Sequence, residues 1–271
     1  ENKTSQAISL ILAQFKNVPL SDIALSIQMG NMKMFTSEQV KQLSMNIPSK
    51  DDVSAIQGFL KDGGDESRLP PPDKFALELD KVPNVDIRLK ALNFRFEYEP
   101  KKADIKPGIE ALKKASLEIA NSKRFPELLE LILEVGNFLN EGTPRAGVFG
   151  FKISSLPKLA DTKTTDNSFT LLQIISKILE HKAPHLLKFA EELPTVESAM
   201  RTSLQALQAD VASLQKDFTT VEKALAGWEK DKFVDSMKPF LDKVRDEVEQ
   251  INQSMTIMQD KYNTAVSLYG E

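Results

Sequence analysis

The sequence predicts an all-α fold, an elongated helical bundle. Apolar residues recur through most of the 271-residue chain with the helical period of about 3.6 residues. The composition also favours helix, because Leu, Ala, Lys and Glu are abundant and only 11 residues are glycine. Towards the C-terminus the apolar residues form a heptad seam, which is typical of long packed helices.

Short helices are predicted in the N-terminal part. Residues 5–15 place apolar side chains on one face, and this helix ends before Pro19. Residues 61–72 predict a loop, because two adjacent glycines are followed by a run of prolines. Three serines are candidate N-caps for the helices between these segments: Ser21, Ser37 and Ser49.

The middle of the chain combines helical and irregular segments. Residues 141–167 show no clear period and predict a long loop, and Phe125-Pro126 separates two of the helices. The predicted helices cover residues 83–97, 103–122 and 125–140, and helix resumes at Phe169 with breaks at Pro184 and near Pro194.

Two long helices are predicted at the C-terminus. Their apolar residues follow one another at alternating steps of three and four, and a break at Gly227 separates the two series. The short connection favours an antiparallel hairpin within the chain over a coiled coil between chains. The series are Leu204, Leu207, Val211, Leu214, Phe218, Val221 and Leu225, then Met237, Leu241, Val244, Val248, Ile251, Met255, Met258, Tyr262 and Ala265.

Charge and composition exclude several classes of protein. The net charge of −4 argues against a nucleic-acid-binding protein, which would carry a basic surplus. Cysteine is absent, which excludes disulfides and thiolate chemistry. No apolar run approaches the roughly 20 residues that span a bilayer, so we expect no membrane insertion. The start at Glu1, without an initiator Met or a signal peptide, predicts a fragment of a longer protein.

No catalytic or cofactor-binding motif is found, so we expect no enzyme, no cofactor and no metal site. His181 and His185 have the spacing of two zinc ligands, but Pro184 lies between them and no metalloprotease Glu follows. Gly142 and Gly147 have the spacing of the first half of a phosphate loop. The Lys-Ser/Thr pair that would bind phosphate and magnesium is missing.

The segment from Gly136 to Phe151 is the most informative. Gly136 interrupts a strongly helical stretch, at a cost of about 1 kcal/mol relative to Ala, and its missing side chain can admit a large group. Asn137 and Asn140 can bind the loop backbone through their amides. Glycines that can adopt positive φ and phenylalanines that can anchor the loop are Gly142, Gly147, Gly150, Phe149 and Phe151. A plain helix C-cap and a connecting loop would explain the same residues.

This segment resembles the signature of formin homology 2 domains. Gly136-Asn137-Phe138-Leu139-Asn140, followed by Gly142, Ala146 and Gly150-Phe151, is similar to the Gly-Asn-aromatic-Met/Leu-Asn…Gly-Phe pattern of that family. The similarity continues at Leu156, Lys158-Leu159, Asp161-Thr162-Lys163 and Thr170-Leu171-Leu172, and it begins upstream at Lys3-Thr4-Ser5-Gln6. It covers essentially the whole chain and is strongest to the diaphanous-like group.

The resemblance implies three subregions. They are a knob over residues 1–100, a three-helix, coiled-coil-like middle over 101–124 and 193–271, and a post over 125–192. In this family the lasso segment of a second subunit wraps around the post and closes a head-to-tail ring dimer. The post residues expected to receive the lasso aromatics are Gly136, Asn137, Asn140, Gly142, Gly150 and Phe151.

Two contacts with actin are also implied. An apolar residue in the first knob helix, usually Ile, corresponds to Leu10, and the basic residue of the Asp-Thr-Lys motif corresponds to Lys163. From the residue pattern alone, Leu10 can also be a core residue and Lys163 a solvated loop lysine.

The function implied by the resemblance is non-catalytic. It is nucleation of actin filaments and association with their barbed ends, in the cytoplasmic actin cytoskeleton, with profilin bound only through flanking regions. The tryptophan-bearing lasso is not recognised in this chain, so we expect a monomer or weak dimer that binds or caps actin without processive elongation. Two alternatives remain: a passive helical adaptor, and a membrane-associated crescent of long helices, against which the acids among the basic residues of 193–268 argue.

Overall fold

Helix dominates the computed structural model, which describes residues 3–228 and 230–270. Glu1 and Asn2, on which the expected start of the domain rests, lie outside these residues. In the described part the β-type pairing is one isolated bridge between Lys163 and Thr170. The predicted all-α class is therefore confirmed.

The α-helices of the described residues are α1 (Lys3–Leu12), α2 (Leu20–Met29), α3 (Ser37–Met45), α4 (Lys50–Lys61), α5 (Pro71–Asp80), α6 (Val85–Asn121), α7 (Arg124–Leu139), α8 (Lys158–Asp161), α9 (Leu171–Lys182), α10 (Val196–Ala199), α11 (Leu204–Leu225) and α12 (Lys232–Leu268). Segments of 3₁₀-helix occupy Met32–Met34, Glu66–Arg68, Ile153–Ser155 and Pro184–Glu192.

The chain divides into two compact units, and α6, α11 and α12 contribute residues to both. Unit 1 comprises Glu1–Asp104 with Asp210–Gln250, and unit 2 comprises Ile105–Ala209 with Ile251–Glu271. The boundaries of the knob, the middle and the post stay a prediction from the sequence.

Of the three predicted serine caps, Ser49 caps a helix. Its Oγ accepts from the backbone N–H of Asp52 at 3.1 Å, and the Asp52 carboxylate accepts from the Ser49 N–H at 3.0 Å. The other two predictions are wrong. Thr36 fills the capping position of α3, so Ser37 is the first helical residue, and Ser21 lies inside α2. In both cases the residue that precedes the helix, Thr36 or Pro19, occupies the N-cap position instead of the serine.

Helix α6 joins two segments that the sequence divides. It runs through Pro100 and Pro107, so the prediction of separate helices over 83–97 and 103–122 is wrong. Each internal proline removes a backbone hydrogen bond and costs about 3 kcal/mol relative to Ala. The helix persists because it buries large side chains before and after the prolines, namely Leu89, Leu92, Tyr98, Ile105, Ile109 and Leu112.

Helices α11 and α12 form the antiparallel hairpin that the seam predicts. In unit 1, Arg245 Nη2 lies 2.8 Å from Glu222 Oε1. In unit 2, Gln208 Nε2 donates to Gln259 Oε1 at 2.7 Å, so early residues of α11 lie beside late residues of α12. The buried seam residues include Leu207, Val211, Leu214, Phe218, Val221, Leu225, Met237, Val244, Val248, Ile251 and Met258.

A buried arginine ties the hairpin connection into unit 1. Arg88 is 1% exposed. Its Nη1 donates to the Gln28 carbonyl at 2.7 Å, and its Nε donates to the Pro83 carbonyl at 2.8 Å. The guanidinium forms a two-point ion pair with Asp231 and lies 4.8 Å over the ring of Trp228. Every nitrogen of Arg88 therefore has an acceptor, which is what makes its burial tolerable.

A buried tyrosine joins α6 to α12 in the same unit. Tyr98 is 0% exposed, and its hydroxyl donates to Glu247 Oε2 at 2.6 Å. Lys102 Nζ lies 2.9 Å from the same oxygen. Burial and the Glu247 carboxylate raise the pKa of Tyr98, so this hydroxyl stays a donor at neutral pH.

Candidate functional site

Helix α7, which carries the Gly-Asn signature, is capped by a residue distant in sequence. The Glu192 carboxylate accepts from the backbone N–H groups of Lys123 and Arg124 at 3.0 and 3.1 Å, and from the Ser122 hydroxyl at 2.7 Å. The Ser122 hydroxyl, followed by the Arg124 N–H, lowers the pKa of Glu192. A carboxylate at this end also matches the positive pole of the helix dipole.

The apolar face of α7 belongs to the core of unit 2. Leu128 packs in a buried cluster with Ile175 and Leu179 of α9 and with Leu186 of the following 3₁₀ segment. Leu131, Ile132 and Val135 pack against this cluster and are partly buried. The last turn of α7 is thereby held in place while its signature residues stay accessible.

Asn137 ties the loop that follows α7 back to the helix. Its Nδ2 donates to the Val148 carbonyl at 2.9 Å, and its Oδ1 accepts from the Val148 N–H at 3.0 Å. Asn140 acts at the helix end, where its backbone N–H and its Nδ2 donate to the Gly136 carbonyl at 3.1 and 2.9 Å. Asn137 therefore binds the loop backbone as the sequence predicts, whereas Asn140 binds a carbonyl of α7 itself rather than the loop.

The glycines and phenylalanines of this loop match the sequence predictions in part. Gly142 and Gly147 have φ of +77° and +70°, which L side chains rarely adopt. Gly150 does not have positive φ, so that prediction is wrong. Phe149 is 102% exposed and so is not packed against the residues that the structure describes, which makes the anchor prediction wrong for Phe149, whereas Phe151 is partly buried.

Four of the six predicted post residues line one cavity of about 180 Å³: Gly136, Asn137, Asn140 and Phe151. Gly142 and Gly150 lie outside its lining, and of these two only Gly142 shapes the loop through a positive φ. A Cβ built on Gly136 would meet no atom within 4 Å, so the missing side chain leaves space open to the cavity. The sequence reasoning missed Ile132 and Leu133, which line the cavity one helical turn before Gly136. Because Ile132 and Leu133 precede Gly136 by four and three residues, helical geometry places them on the same face as Gly136, and this spacing could have identified them.

An exposed apolar rim accompanies this cavity on the same segment. Phe138, Leu139 and Phe149 are 73%, 57% and 102% exposed. Several large apolar side chains exposed within one short segment favour an interaction site there.

Leu10 lies on the solvent side of α1. Its neighbours Ile8 and Ile11 are 2% and 3% exposed, whereas Leu10 is 72% exposed. The core alternative for Leu10 is therefore excluded. Helix α1 packs on α3 and α5, which gives Leu10 a fixed position in unit 1.

Lys163 is exposed at the base of a tight turn in unit 2. Around its bridge to Thr170, the Leu171 N–H donates to the Thr162 carbonyl at 2.7 Å and the Thr164 N–H donates to the Phe169 carbonyl at 2.9 Å. Within the turn, the Asp166 carboxylate accepts from the hydroxyls of Ser168 and Thr164 and from the Ser168 N–H. These donors hold the pKa of Asp166 at about 2. The backbone of Lys163 is thus fixed while its side chain points to solvent.

Of the two histidines, His181 lies in the last turn of α9 and His185 pairs with a glutamate of α7. His185 Nε2 lies 2.9 Å from Glu127 Oε1, and both side chains are exposed. Across residues 3–228 and 230–270, no group of three or more His, Cys, Asp or Glu side chains is placed to hold a metal ion. None of the helices in this part of the chain is long and apolar enough to cross a membrane.

Comparison with known proteins agrees with the signature. The Formin Homology 2 Domain profile matches residues 1–271. Formin-A of Dictyostelium discoideum is 37% identical over 99% of this chain and 23% of its own length. Protein diaphanous homolog 3 of Homo sapiens and Protein diaphanous of Drosophila melanogaster are each 30% identical over 99% of this chain, covering 23% and 25% of their lengths.

The chain therefore belongs to the formin homology 2 family. The predicted membership is confirmed, and diaphanous proteins are among its relatives. The chain spans about a quarter of the length of these relatives.

Proposed function

We propose that this formin homology 2 domain binds actin, nucleates filaments and associates with their barbed ends without catalysing a reaction. The observation that carries the proposal is the exposure of Leu10. By the resemblance, Leu10 corresponds to the apolar knob residue of the family, and it is 72% exposed on a helix whose neighbours Ile8 and Ile11 are buried. Single exposed leucines are common on protein surfaces, so it is the combination of this exposure with the position expected from the family that supports a partner contact.

The exposed side chain of Lys163, unpaired among the described residues and on a fixed backbone, supports the same proposal of an actin contact. The bridge to Thr170 and the Asp166 turn fix its backbone, and no ion pair within the described residues engages its ammonium group. A positioned free cation suits the acidic surface of a protein partner better than a mobile one, because less conformational entropy is lost on binding. Bridging two actin subunits would then stabilise a nucleus long enough for it to grow.

A second part of the proposal concerns the post. The cavity beside Gly136, together with the rim of Phe138 and Phe149, would receive aromatic residues from the lasso of a second formin homology 2 subunit. Asn137 would serve this site indirectly, since its two hydrogen bonds to Val148 hold the rim segment. If this proposal is correct, the protein acts in the cytoplasmic actin cytoskeleton. Profilin would then bind only to regions that flank this domain.

A bulk actin assembly assay tests the actin contact. Leu10→Ala and Lys163→Ala should each lower the stimulation of assembly by at least about tenfold, the loss expected for a central interface residue. Neither should move the unfolding midpoint noticeably, because both side chains are exposed. The matched controls are Leu268→Ala and Lys261→Ala, which remove an exposed leucine and an exposed lysine of α12.

The results of this assay distinguish a specific actin contact from a passive helical adaptor. Loss of stimulation in the Leu10 and Lys163 variants, with both controls unchanged, supports the assigned contacts. Equal loss in the controls would mean that the assigned residues have no special role. A wild-type chain that neither stimulates nor inhibits assembly would overturn the actin proposal and favour a passive helical adaptor.

A further inference from the structure

A larger cavity lies in unit 2 and shares no lining residue with the post cavity. Its volume is about 500 Å³, and residues of α6, α10 and α12 form most of its wall. Phe125, Tyr262 and Tyr269 supply aromatic surface, and no Asp, Glu, Lys, Arg or His lines it. The volume falls in the range of about 300–1,000 Å³ that is typical of small-molecule sites.

Small side chains on three helices create this space. Ala115 of α6, Ala199 of α10 and Ala265 of α12 line the cavity and are 6%, 5% and 5% exposed. In unit 1 the same long helices place Phe94 and Tyr98 against Phe240, with ring centroids 5.7 Å apart in both pairs. Aromatic rings thus fill the interior of unit 1 where alanines leave room in unit 2.

Four residues of the wall carry hydroxyl groups, Ser116, Thr202, Tyr262 and Tyr269, and two of these hydroxyls already donate to backbone carbonyls. The Ser116 hydroxyl donates to the Leu112 carbonyl at 2.7 Å, and the Tyr269 hydroxyl donates to the Ile119 carbonyl at 3.3 Å. Each oxygen keeps lone pairs that can still accept. Water would find few partners against such a wall, since a well-held water makes two to four hydrogen bonds. An ionised group would lose its hydration without gaining a counter-charge.

We propose that this cavity is a binding site for a neutral, largely apolar aromatic small molecule with one hydroxyl donor. The absence of charge in the wall selects against ions, and the accepting oxygens suit a donor. The volume of about 500 Å³ is enough to hold a small molecule by itself, whereas a protein partner would also have to bury surface around the cavity, on the order of 1,000 Å² in all. The site is independent of the actin and lasso contacts and can be tested without either partner.

Equilibrium dialysis of the purified chain against 2-naphthol tests the proposal. This probe has two fused apolar rings and one hydroxyl, and we expect saturable binding at one site per chain. Naphthalene-2-sulfonate, which carries the same rings with a fixed charge, should bind at least about tenfold more weakly because its charge would be buried unpaired.

Two filling variants and one control locate the site. Ala199→Leu and Ala265→Leu place extra carbons in the cavity and should each weaken 2-naphthol binding by at least about tenfold. Ala209→Leu, at an exposed position of α11 that does not line the cavity, should bind like the wild type. Circular dichroism confirms folding of each variant, and if one filling variant fails to fold, the other decides.

Three results would overturn the proposal. They are the lack of saturable 2-naphthol binding to the wild type, equal binding of the sulfonate, and unchanged affinity in a folded filling variant. The first two require only the wild-type chain, so the proposal can be refuted even if neither filling variant folds.

Discussion

Replacing Gly136 by Ala should stabilise the fold and weaken the proposed post site at the same time. Gly136 lies within α7, where Ala is favoured over Gly by about 0.5–1 kcal/mol. The new methyl group would meet no atom within 4 Å, so no clash offsets this gain. We therefore expect the free energy of unfolding to rise by about 0.5–1 kcal/mol.

The same methyl group would enter the cavity that we assign to the lasso. Its volume is about 180 Å³, so one added carbon is a large change for an aromatic side chain that must fit there. Overpacking of this kind costs about 1–3 kcal/mol, which corresponds to a rise in dissociation constant of about 5-fold to 150-fold. Stability and binding should thus move in opposite directions.

Urea unfolding and fluorescence anisotropy measure the two effects. The probe is a labelled lasso peptide from a diaphanous-type formin. Gly58→Ala is the matched control, because Gly58 lies within α4 and a Cβ there also meets no atom within 4 Å. The control should gain stability and keep the wild-type affinity. Wild-type affinity in Gly136→Ala would refute the receiving role, and a loss of stability would refute the inference of open space.

Two further predictions concern the supports of unit 1. Arg88→Met should lower the free energy of unfolding by about 3–5 kcal/mol, because two carbonyls and the Asp231 carboxylate lose their donor. Arg245→Met, which removes an exposed ion pair, should lower the free energy of unfolding by only about 0–1 kcal/mol. If the two variants lost similar amounts of stability, the stabilising role assigned to the buried Arg88 would be contradicted. Tyr98→Phe should cost about 1.5–3 kcal/mol in urea unfolding at pH 7. Because the folded pKa of Tyr98 is raised above its unfolded value, the wild type loses stability as the pH rises above about 10, and its advantage over Tyr98→Phe should shrink. A pH-independent gap would contradict the assigned hydrogen bond.

The sequence predicts well those helices whose apolar residues repeat at a regular spacing. The seam of α11 and α12 was recoverable because each buried residue is confirmed by the next one a turn away. What it predicts poorly is decided by contacts between distant segments. The continuity of α6 through Pro100 depends on side chains that are buried against other helices. The prolines, as local helix-breaking signals, therefore led to the wrong prediction of two separate helices. Ser122 caps the Phe125 N–H of α7 locally, but the Lys123 and Arg124 N–H groups are bound by Glu192, a residue far away in the sequence that no local pattern identifies.

The candidate site shows the same division. The ties of Asn137 and Asn140 to backbone followed from residue chemistry and short spacing. The exposure of Phe149 did not follow, because an apolar residue between glycines can equally anchor a loop inward. In this chain Phe151 takes the cavity side, and Phe149 is left fully exposed.

An open glycine within a helix is not by itself a sign of function, since Gly58 is as open as Gly136. The difference lies in what surrounds each position. Gly136 lies beside an amide that fixes the next loop, at the edge of a cavity, and close in sequence to a rim of exposed phenylalanine. With Gly instead of Ala at position 136, helix α7 is less stable. The space that the missing methyl group leaves is where we expect an aromatic side chain of a second subunit to bind. If that is correct, the cost of Gly136 to the isolated chain is offset only in the assembled protein, so stability and binding must be measured together to explain the residue.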